Sequence, residues 1–581
     1  MINMPWLKSY GSVPHQLEYP DCSMFELVAQ TAQDYPEGMA YEFMGQEVSY
    51  PKLIEEIEEC AKALKALGIQ EDERVTICLP NVPQAIIMFY AVNRVGAVAN
   101  MIHPLSSEGE IEFFLRDSNS IAAITLDLFY PKFAAIREKT PLKCLLITSV
   151  KDKLGPLMTA GFVLTKGRKI KPIPPHADVV YWKDFLDGGK KYLTEGHVVR
   201  TAQDPAAILY SGGTSGTTKG ILLSNLNFNA LAMQTLAMGQ CIDRADSMLA
   251  IMPVFHGFGL GVCIHTMLHA GAKCILIPEF NSKTFGDLLK KKKPNHIAGV
   301  PTLFEAMLRN QSLQKADLHW LKGVFSGGDS LSIELKKKVD TFLQEHGTEA
   351  HIREGYGLTE SVTASCLTPK HREKEGSIGL PFPDTYYKIV KPNTQEELPY
   401  GVEGEICLTG PTLMAGYVGN PKETAHALQE HSDGCVWLHT GDLGMMDEEG
   451  FIYYRQRLKR VIISSGYTIF PSQLENVIDA HPSVLMSTVI GVDDPYKMQK
   501  VKAFVVLQPK VPLTDALKQD IRAHCEKNIA KYAMPYEFEY RESLPKTLVG
   551  KVAYTILEAE ERQKAKSAPC GLKAAADGKE E

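Results

Sequence analysis

From residue 74 onward, short apolar runs alternate with stretches of helical period, the pattern of repeated β-α-β units feeding a largely parallel sheet. Residues 74–79 read as a strand and 82–95 as the helix behind it. The rhythm returns with a strand at 206–210, a Gly-rich turn, a helix at 225–238 directly after that turn, a strand at 247–252, a helix at 259–269 and a strand at 274–278. Strand 297–300, helix 302–309, strand 323–326 and helix 334–344 continue it, which predicts two doubly wound layers. After residue 376 the period shortens to two in 385–390 and 404–408, among Pro and Gly, as in a small antiparallel barrel. Beyond residue 456, strand 461–464, helix 472–480, strands 484–491 and 502–507 and helix 514–529 make a compact α+β module.

The expected fold class is therefore α/β: a large N-terminal domain of two doubly wound layers plus a small β-barrel, followed by a smaller α+β C-terminal domain. The expected boundaries are 1–456, a connector at 457–460, and 461–561. Residues 562–581, rich in Ala, Lys and Glu without an apolar period, are expected to form a disordered tail.

Length and charge narrow the function classes. A chain of 581 residues exceeds what one hydrophobic core sustains, so more than one domain is required. Hydrophobic residues at 44% and charged residues at 23% fit a globular enzyme, and a net charge of -7 argues against a nucleic-acid footprint. The twelve cysteines show no CxxC pair and the first twenty residues lack a signal-peptide pattern, which predicts reduced structural thiols in a cytoplasmic protein. No run reaches the roughly 18 apolar residues of a membrane span. The apolar stretch 154–164 is followed by Lys166, Arg168, Lys169 and Lys171, and two readings of it stay open. It is an inter-domain loop with some buried side chains, or a peripheral segment lying on a membrane surface.

The strongest local signal is YSGGTSGTTKG at 210–220, between an apolar strand and a helix that Ser224 can cap. Its glycines allow close backbone approach to a polyphosphate, the hydroxyls of Thr214, Ser215 and Thr217 can donate to phosphate oxygens, and Lys219 adds positive charge. Lys219 precedes Gly220 rather than a Ser or Thr, so the loop is not of the Walker A kind.

Here the chain resembles the adenylate-forming superfamily, which holds acyl- and aryl-CoA synthetases, luciferases and peptide-synthetase adenylation domains, and it is most similar to long-chain fatty acid–CoA ligases. Thr218 stands where that superfamily often has proline. EGYGLTES at 354–361 matches a second motif: the resemblance implies that Gly355 and Gly357 flank the nucleotide, Tyr356 stacks on adenine, Thr359 meets phosphate, and Glu360 holds Mg²⁺ on the phosphates. SGGDSL at 326–331 is similar to the adenine wall, with Gly328 and Asp329 in contact with nucleotide, although Asp329 and Ser330 replace the commoner Ala-Pro.

The same resemblance makes Thr214, Ser215, Gly216, Thr217 and Lys219 ATP-binding, with Thr214, Glu360 and Lys551 catalytic. In HTGDL, Asp442 would take both ribose hydroxyls; in QRLKRVIISSG, Arg457 would contact ribose and phosphate. Lys459 would be the hinge about which a mobile C-terminal domain turns, and Gly466 would wall a coenzyme A tunnel. Lys551, in LPKTLVGKV, would stabilise charge building on the α-phosphate. His256, Val300 and Gly327 would border the acyl pocket, since PVFHGF at 253–258 lacks the aspartate of amino-acid-activating relatives. The implied reaction is ATP- and Mg²⁺-dependent activation of a medium- to long-chain fatty acid as acyl-AMP, then transfer to coenzyme A. An aryl-CoA ligase, or a fatty acyl-AMP ligase loading a carrier protein, is the alternative. Oligomeric state has no sequence signal.

Overall fold

A computed structural model describes residues 3–175, 177–192, 198–211, 218–464, 467–547 and 550–567. The chain divides into two compact units, Met1–Leu331 with Lys336–Tyr454, and Arg455–Glu581 with the short Ser332–Leu335.

The first unit holds two large sheets. One has nine strands in the order Leu380–Pro381, Cys366–Leu367, Ile352–Tyr356, Gly323–Ser326, His296–Gly299, Ser247–Ala250, Lys273–Leu276, Met39–Phe43 and Gln46–Ser49. Neighbours from Ile352–Tyr356 through Met39–Phe43 run parallel. The other has eight strands, ordered Gly416–Tyr417, Gly220–Ser224, Pro205–Tyr210, Val98–Met101, Arg74–Cys78, Ala122–Leu126, Cys144–Thr148 and Val180–Tyr181. Its strands from Pro205–Tyr210 outward are parallel. Helix Pro83–Arg94 is mostly apolar and buries every residue but the last, its buried polar Gln84 and Asn93 being hydrogen-bonded, as an interior helix requires. Asn81 secures it by donating from Nδ2 to the carbonyls of Ala250 and Met252, both at 2.9 Å.

Three expectations change here. The Gly-rich loop does not lead straight into a helix, because Gly220–Ser224 is a strand paired antiparallel with Pro205–Tyr210, Tyr210 facing Gly220. Ile221 and Leu223 are fully buried, so this short run stays in the sheet before the helix Asn225–Gly239 begins. Ser224 does cap that helix, accepting from the Asn227 amide at 3.3 Å. The segment expected as one α-helix at 259–269 winds as a π-helix over Phe258–Thr266 and becomes α-helical only at Met267–Ala270. And the stretch 154–164 is a helix, Pro156–Leu164, with no buried residue, rather than a loop with buried side chains.

A five-stranded antiparallel sheet, including Tyr386–Val390, Gly404–Thr409 and Val436–Met446, forms the small β unit. The second unit carries its own sheet, with Met498–Leu507 between the long antiparallel partner Val484–Asp494 and the parallel strand Glu537–Tyr540. Inside it Lys502, 2% exposed, meets Glu539 at 2.8 Å and Glu537 and Glu561 at 3.0 Å. Arg460 belongs with this unit, its guanidinium on Glu475 at 2.5 Å and Thr488 at 3.1 Å. Residues 562–567, expected as part of a tail, instead continue helix Tyr554–Ser567, anchored by buried Leu557 and by the Glu561–Lys502 pair, and the rest of that expectation lies outside the described residues.

Candidate functional site

Adjacent parallel strands of the nine-stranded sheet end together, and the carboxyl ends of such strands are where open α/β sheets hold ligands. The register aligns Gly299 with Ser326 and Ser326 with Glu354. It follows that Val300, the Gly327–Gly328–Asp329 turn and Tyr356 leave neighbouring strands on one edge, with His256 behind the end of Ser247–Ala250. These were four separate sequence signals; the topology makes them one rim. A Cβ added to Gly327 would lie 3.2 Å from the Gly355 carbonyl and 3.7 Å from the Phe258 ring, so the glycine leaves a shallow wall between an aromatic and a strand end. Gly328, at φ +82°, makes the turn that follows.

Tyr356 and Asp442, far apart in sequence, meet: the tyrosine hydroxyl donates to Asp442 Oδ2 at 2.7 Å. Burial, with Asp442 next, raises the phenol well above its ordinary range, so it stays a donor. Asp442 is itself positioned. Its amide donates to Thr440 Oγ1 at 3.1 Å, and the preceding Gly441 amide donates to Glu405 Oε1 at 3.0 Å. Glu405 also holds His439 at 3.1 Å. Burial pushes that carboxyl up, but the His439 contact and the Gly441 amide outweigh it and bring it below the usual range. Glu354, in the middle of strand Ile352–Tyr356, is pushed up to about 8 by burial, against the pull of Lys336.

The loop 212–217, and with it Thr214, Ser215, Gly216 and Thr217, lies outside the described residues, as does Gly466. Lys219 is described. Its Nζ pairs with Glu423 at 2.5 Å and stands 4.6 Å from the centre of the Tyr417 ring. The Tyr417 hydroxyl donates to Glu360 Oε1 at 2.9 Å. Tyr417 thus joins the loop's cation to the motif's carboxylate, and it does so because Gly416–Tyr417 pairs with Gly220–Ser224 at the end of the eight-stranded sheet. Tyr417 and Glu423 were missed in the sequence. They lie some two hundred residues beyond the loop, and only the antiparallel pairing brings them back.

Thr359 and Glu360 sit in a single 3-10 turn, Thr359–Ser361, that ends on an unusual backbone. Val362 has φ 64°, a rare value for a β-branched residue, and Thr363 N donates to Ser361 O at 2.7 Å across it, closing a strained γ-turn. The reason is close packing. A Cβ on Gly257 would lie 1.8 Å from the Val362 carbonyl, and one on Gly357 the same distance from that of Thr363. Each glycine is thereby tied to the turn that carries Glu360, and the segment next to His256 abuts it. His256 Nδ1 accepts from the Phe258 amide at 3.1 Å, which turns its ring at the mouth of the π-helix. By contrast His265, between Tyr90 at 2.9 Å and Asn229 at 3.0 Å, is held down to about 3 by burial and is a neutral packing histidine.

In the second unit, Arg457 ends the strand Ile452–Arg457 and Lys459 lies in the 3-10 turn Leu458–Arg460. Lys551 sits on a tight loop, its amide donating to Thr547 Oγ1 at 3.1 Å while Thr547 N donates to its carbonyl at 2.7 Å. Gly550 precedes it at φ +87°.

Among the described residues no cluster of three or more His, Cys, Asp or Glu could hold a metal ion. Mg²⁺ is commonly bound by one or two carboxylates together with substrate phosphates. Glu360, steadied by Tyr417, is the carboxylate that fits.

Comparison with known proteins gives the family. The model of the AMP-binding enzyme family matches residues 28–418, and that of the AMP-binding enzyme C-terminal domain matches 473–551. A long-chain-fatty-acid–CoA ligase of Bacillus subtilis (strain 168) is 34% identical, over 96% of this chain and 98% of its own. One from Yersinia pestis is 31% identical with the same coverage. Among solved structures, the ATP-bound RpMatB-BxBclM chimera B1 superposes with a TM-score of 0.80 at 25% identity, covering 93% of this chain and 99% of its own.

Proposed function

The chain belongs to the AMP-binding enzyme family, and on that footing we propose that it is an ATP-dependent acid–thiol ligase joining a medium- to long-chain fatty acid to coenzyme A. In the first step a carboxylate oxygen attacks the α-phosphorus of ATP and pyrophosphate leaves, giving acyl-AMP. In the second the thiol sulfur attacks the acyl carbonyl, AMP leaves with the bonding pair, and the thiol proton is lost to solvent.

The observation that carries this reading is the Tyr356–Asp442 hydrogen bond at the carboxyl ends of the parallel strands, with the Lys219–Tyr417–Glu360 series arriving from the other sheet. The first pair offers a base-stacking ring beside a ribose-binding carboxylate. The second offers a cation and a metal-binding carboxylate for the triphosphate. Mg²⁺ held by Glu360 would neutralise charge on the phosphates. Thr214, Ser215, Gly216 and Thr217 are assigned to the phosphates, Lys551 to the cation of the first step, Lys459 to a hinge, and Gly466 to the coenzyme A side. Phe258 beside Gly327, with buried Val300 and no carboxylate in 253–258, supports an apolar acid.

Pyrophosphate release across a panel of fatty, aryl and amino acids, with and without coenzyme A, tests it. Release is expected with fatty acids, with acyl-CoA formed when coenzyme A is added. A preference for benzoates would give the aryl reading; transfer to a carrier protein but not to free coenzyme A would give the carrier-loading one. No acid-dependent release at all would overturn adenylation.

A further inference from the structure

Strand Val436–Met446 pairs with Gly404–Thr409 in a register that slips: Cys407 faces His439 while Glu405 faces Leu443. Thr440, Gly441 and Asp442 therefore stand opposite Ile406 alone, a bulge of the kind that re-aims a side chain beside a site. Gly441 takes φ +69° within it. Side chains replace the interrupted ladder. Thr440 Oγ1 donates to the Ile406 carbonyl at 2.7 Å, and Glu405 Oε1 accepts from the Gly441 amide at 3.0 Å. The other Glu405 oxygen lies 3.1 Å from His439 Nδ1, and because a carboxylate only accepts, that nitrogen carries the proton. His439 Nε2 meets His431 Nε2 at 3.0 Å, so one proton is shared between the rings. Burial, then Lys388, holds His431 down to about 4, which keeps it neutral, and Lys388 is itself paired with Asp433 at 3.0 Å.

On the reading that Asp442 takes the ribose hydroxyls, we propose that Glu405 and His439 are positioning residues for that carboxylate. His439 fixes the tilt of the Glu405 carboxylate, Glu405 holds the Gly441 amide, and the bulge then sets Asp442 against the ribose. Glu405 and His431 are buried, so water does not readily replace either partner of His439. A pair serving stability alone would be satisfied by His439 on Glu405. Here one oxygen is kept for the amide that precedes Asp442, and a role in the bulge explains that division.

Pyrophosphate release with a fatty acid, measured as kcat/KM for ATP and for 2′-deoxy-ATP, tests this. The parent should prefer ATP roughly tenfold or more, the scale of a hydrogen bond to a charged group. His439→Asn places an amide nitrogen near Nδ1, keeps the donor to Glu405 and should keep the preference. His439→Gln places one near Nε2 and loses that donor, and Glu405→Asp withdraws both oxygens by one methylene. Each of these two should cut the preference to about threefold or less, with KM for the fatty acid unchanged. A purely structural role would lower activity with both nucleotides alike. A preference intact in His439→Gln and Glu405→Asp, or lost equally in His439→Asn, would overturn the proposal and leave the ribose assignment standing. A parent without any preference would remove that assignment and the proposal with it. Affinities for AMP and 2′-deoxy-AMP carry the same ratio, so in a protein that releases no pyrophosphate the ligase reading would fall while this ratio still decides the positioning role.

Discussion

Removing one oxygen, in Tyr417→Phe, separates the two contacts that make Tyr417 a bridge. The ring remains, so its 4.6 Å contact with Lys219 survives, while the 2.9 Å hydrogen bond to Glu360 is lost. A hydrogen bond to a charged group contributes about 1.5–3 kcal/mol, and a half-buried one belongs at the lower end. About 1.5 kcal/mol corresponds to roughly a tenfold fall in kcat/KM for MgATP. The assay is pyrophosphate release at limiting MgATP, completed as a cycle with Glu360→Gln. If Tyr417 acts by holding the carboxylate, adding Tyr417→Phe to Glu360→Gln should cost less than about threefold, since the charged acceptor is already gone. Additivity of the two losses within about 0.5 kcal/mol, or no loss in Tyr417→Phe alone, would refute the bridge.

Four more outcomes follow from the geometry. Lys551→Ala should lower adenylation about 100-fold or more while sparing thiolysis of supplied acyl-AMP, measured as separate half-reactions; equal loss in both would remove its assignment to the first step. Gly257→Ala places a methyl 1.8 Å from the Val362 carbonyl, so denaturant melts should show a loss of about 1–3 kcal/mol; parent-like stability would mean the γ-turn yields freely. In the C-terminal unit, Lys502→Met removes a cation shared by three carboxylates, of which Glu539 and Glu561 keep Arg541 or Lys564, and should cost about 1.5–3 kcal/mol, read by hydrogen exchange of strand Met498–Leu507. Burial raises the Glu539 carboxyl, but hydrogen bonds from Lys502, Arg541 and Lys564 prevail and hold it down to about 2. A depressed acid stabilises the fold above its ordinary value near 4.3, so this contribution is present at neutral pH and fades as pH falls from about 4.5 toward 2. Exchange protection unchanged across that window would count against the ion cluster.

The parallel strands were legible because buried strands read as continuous apolar runs, and Val75, Ile77, Val324 and Ile297 are all buried as such runs require. The strand Gly220–Ser224 was read through because five residues between a glycine turn and a strong cap carry too little periodicity to stand apart. Asp442 and Tyr356 could be named from motifs, yet their contact is a product of topology. Tyr417 had no local signal, since its role exists only through pairing with a strand two hundred residues earlier. The helix past Arg562 was missed because its polar residues are held by ion pairs such as Lys564–Glu539, which a hydrophobic period does not register.

The Lys219–Glu423 pair, at 2.5 Å, also bears on selectivity among anions. Glu423 is a tethered competitor: any phosphate that takes Lys219 must displace a carboxylate fixed to the same framework by the Asn420 cap of helix Pro421–Ala427. A single weak anion such as inorganic phosphate gains little from that exchange. On the proposed assignment of Lys219 to the triphosphate, a ligand engaging several groups at once would gain enough, and the ion pair would then set a threshold between small anions and nucleotide.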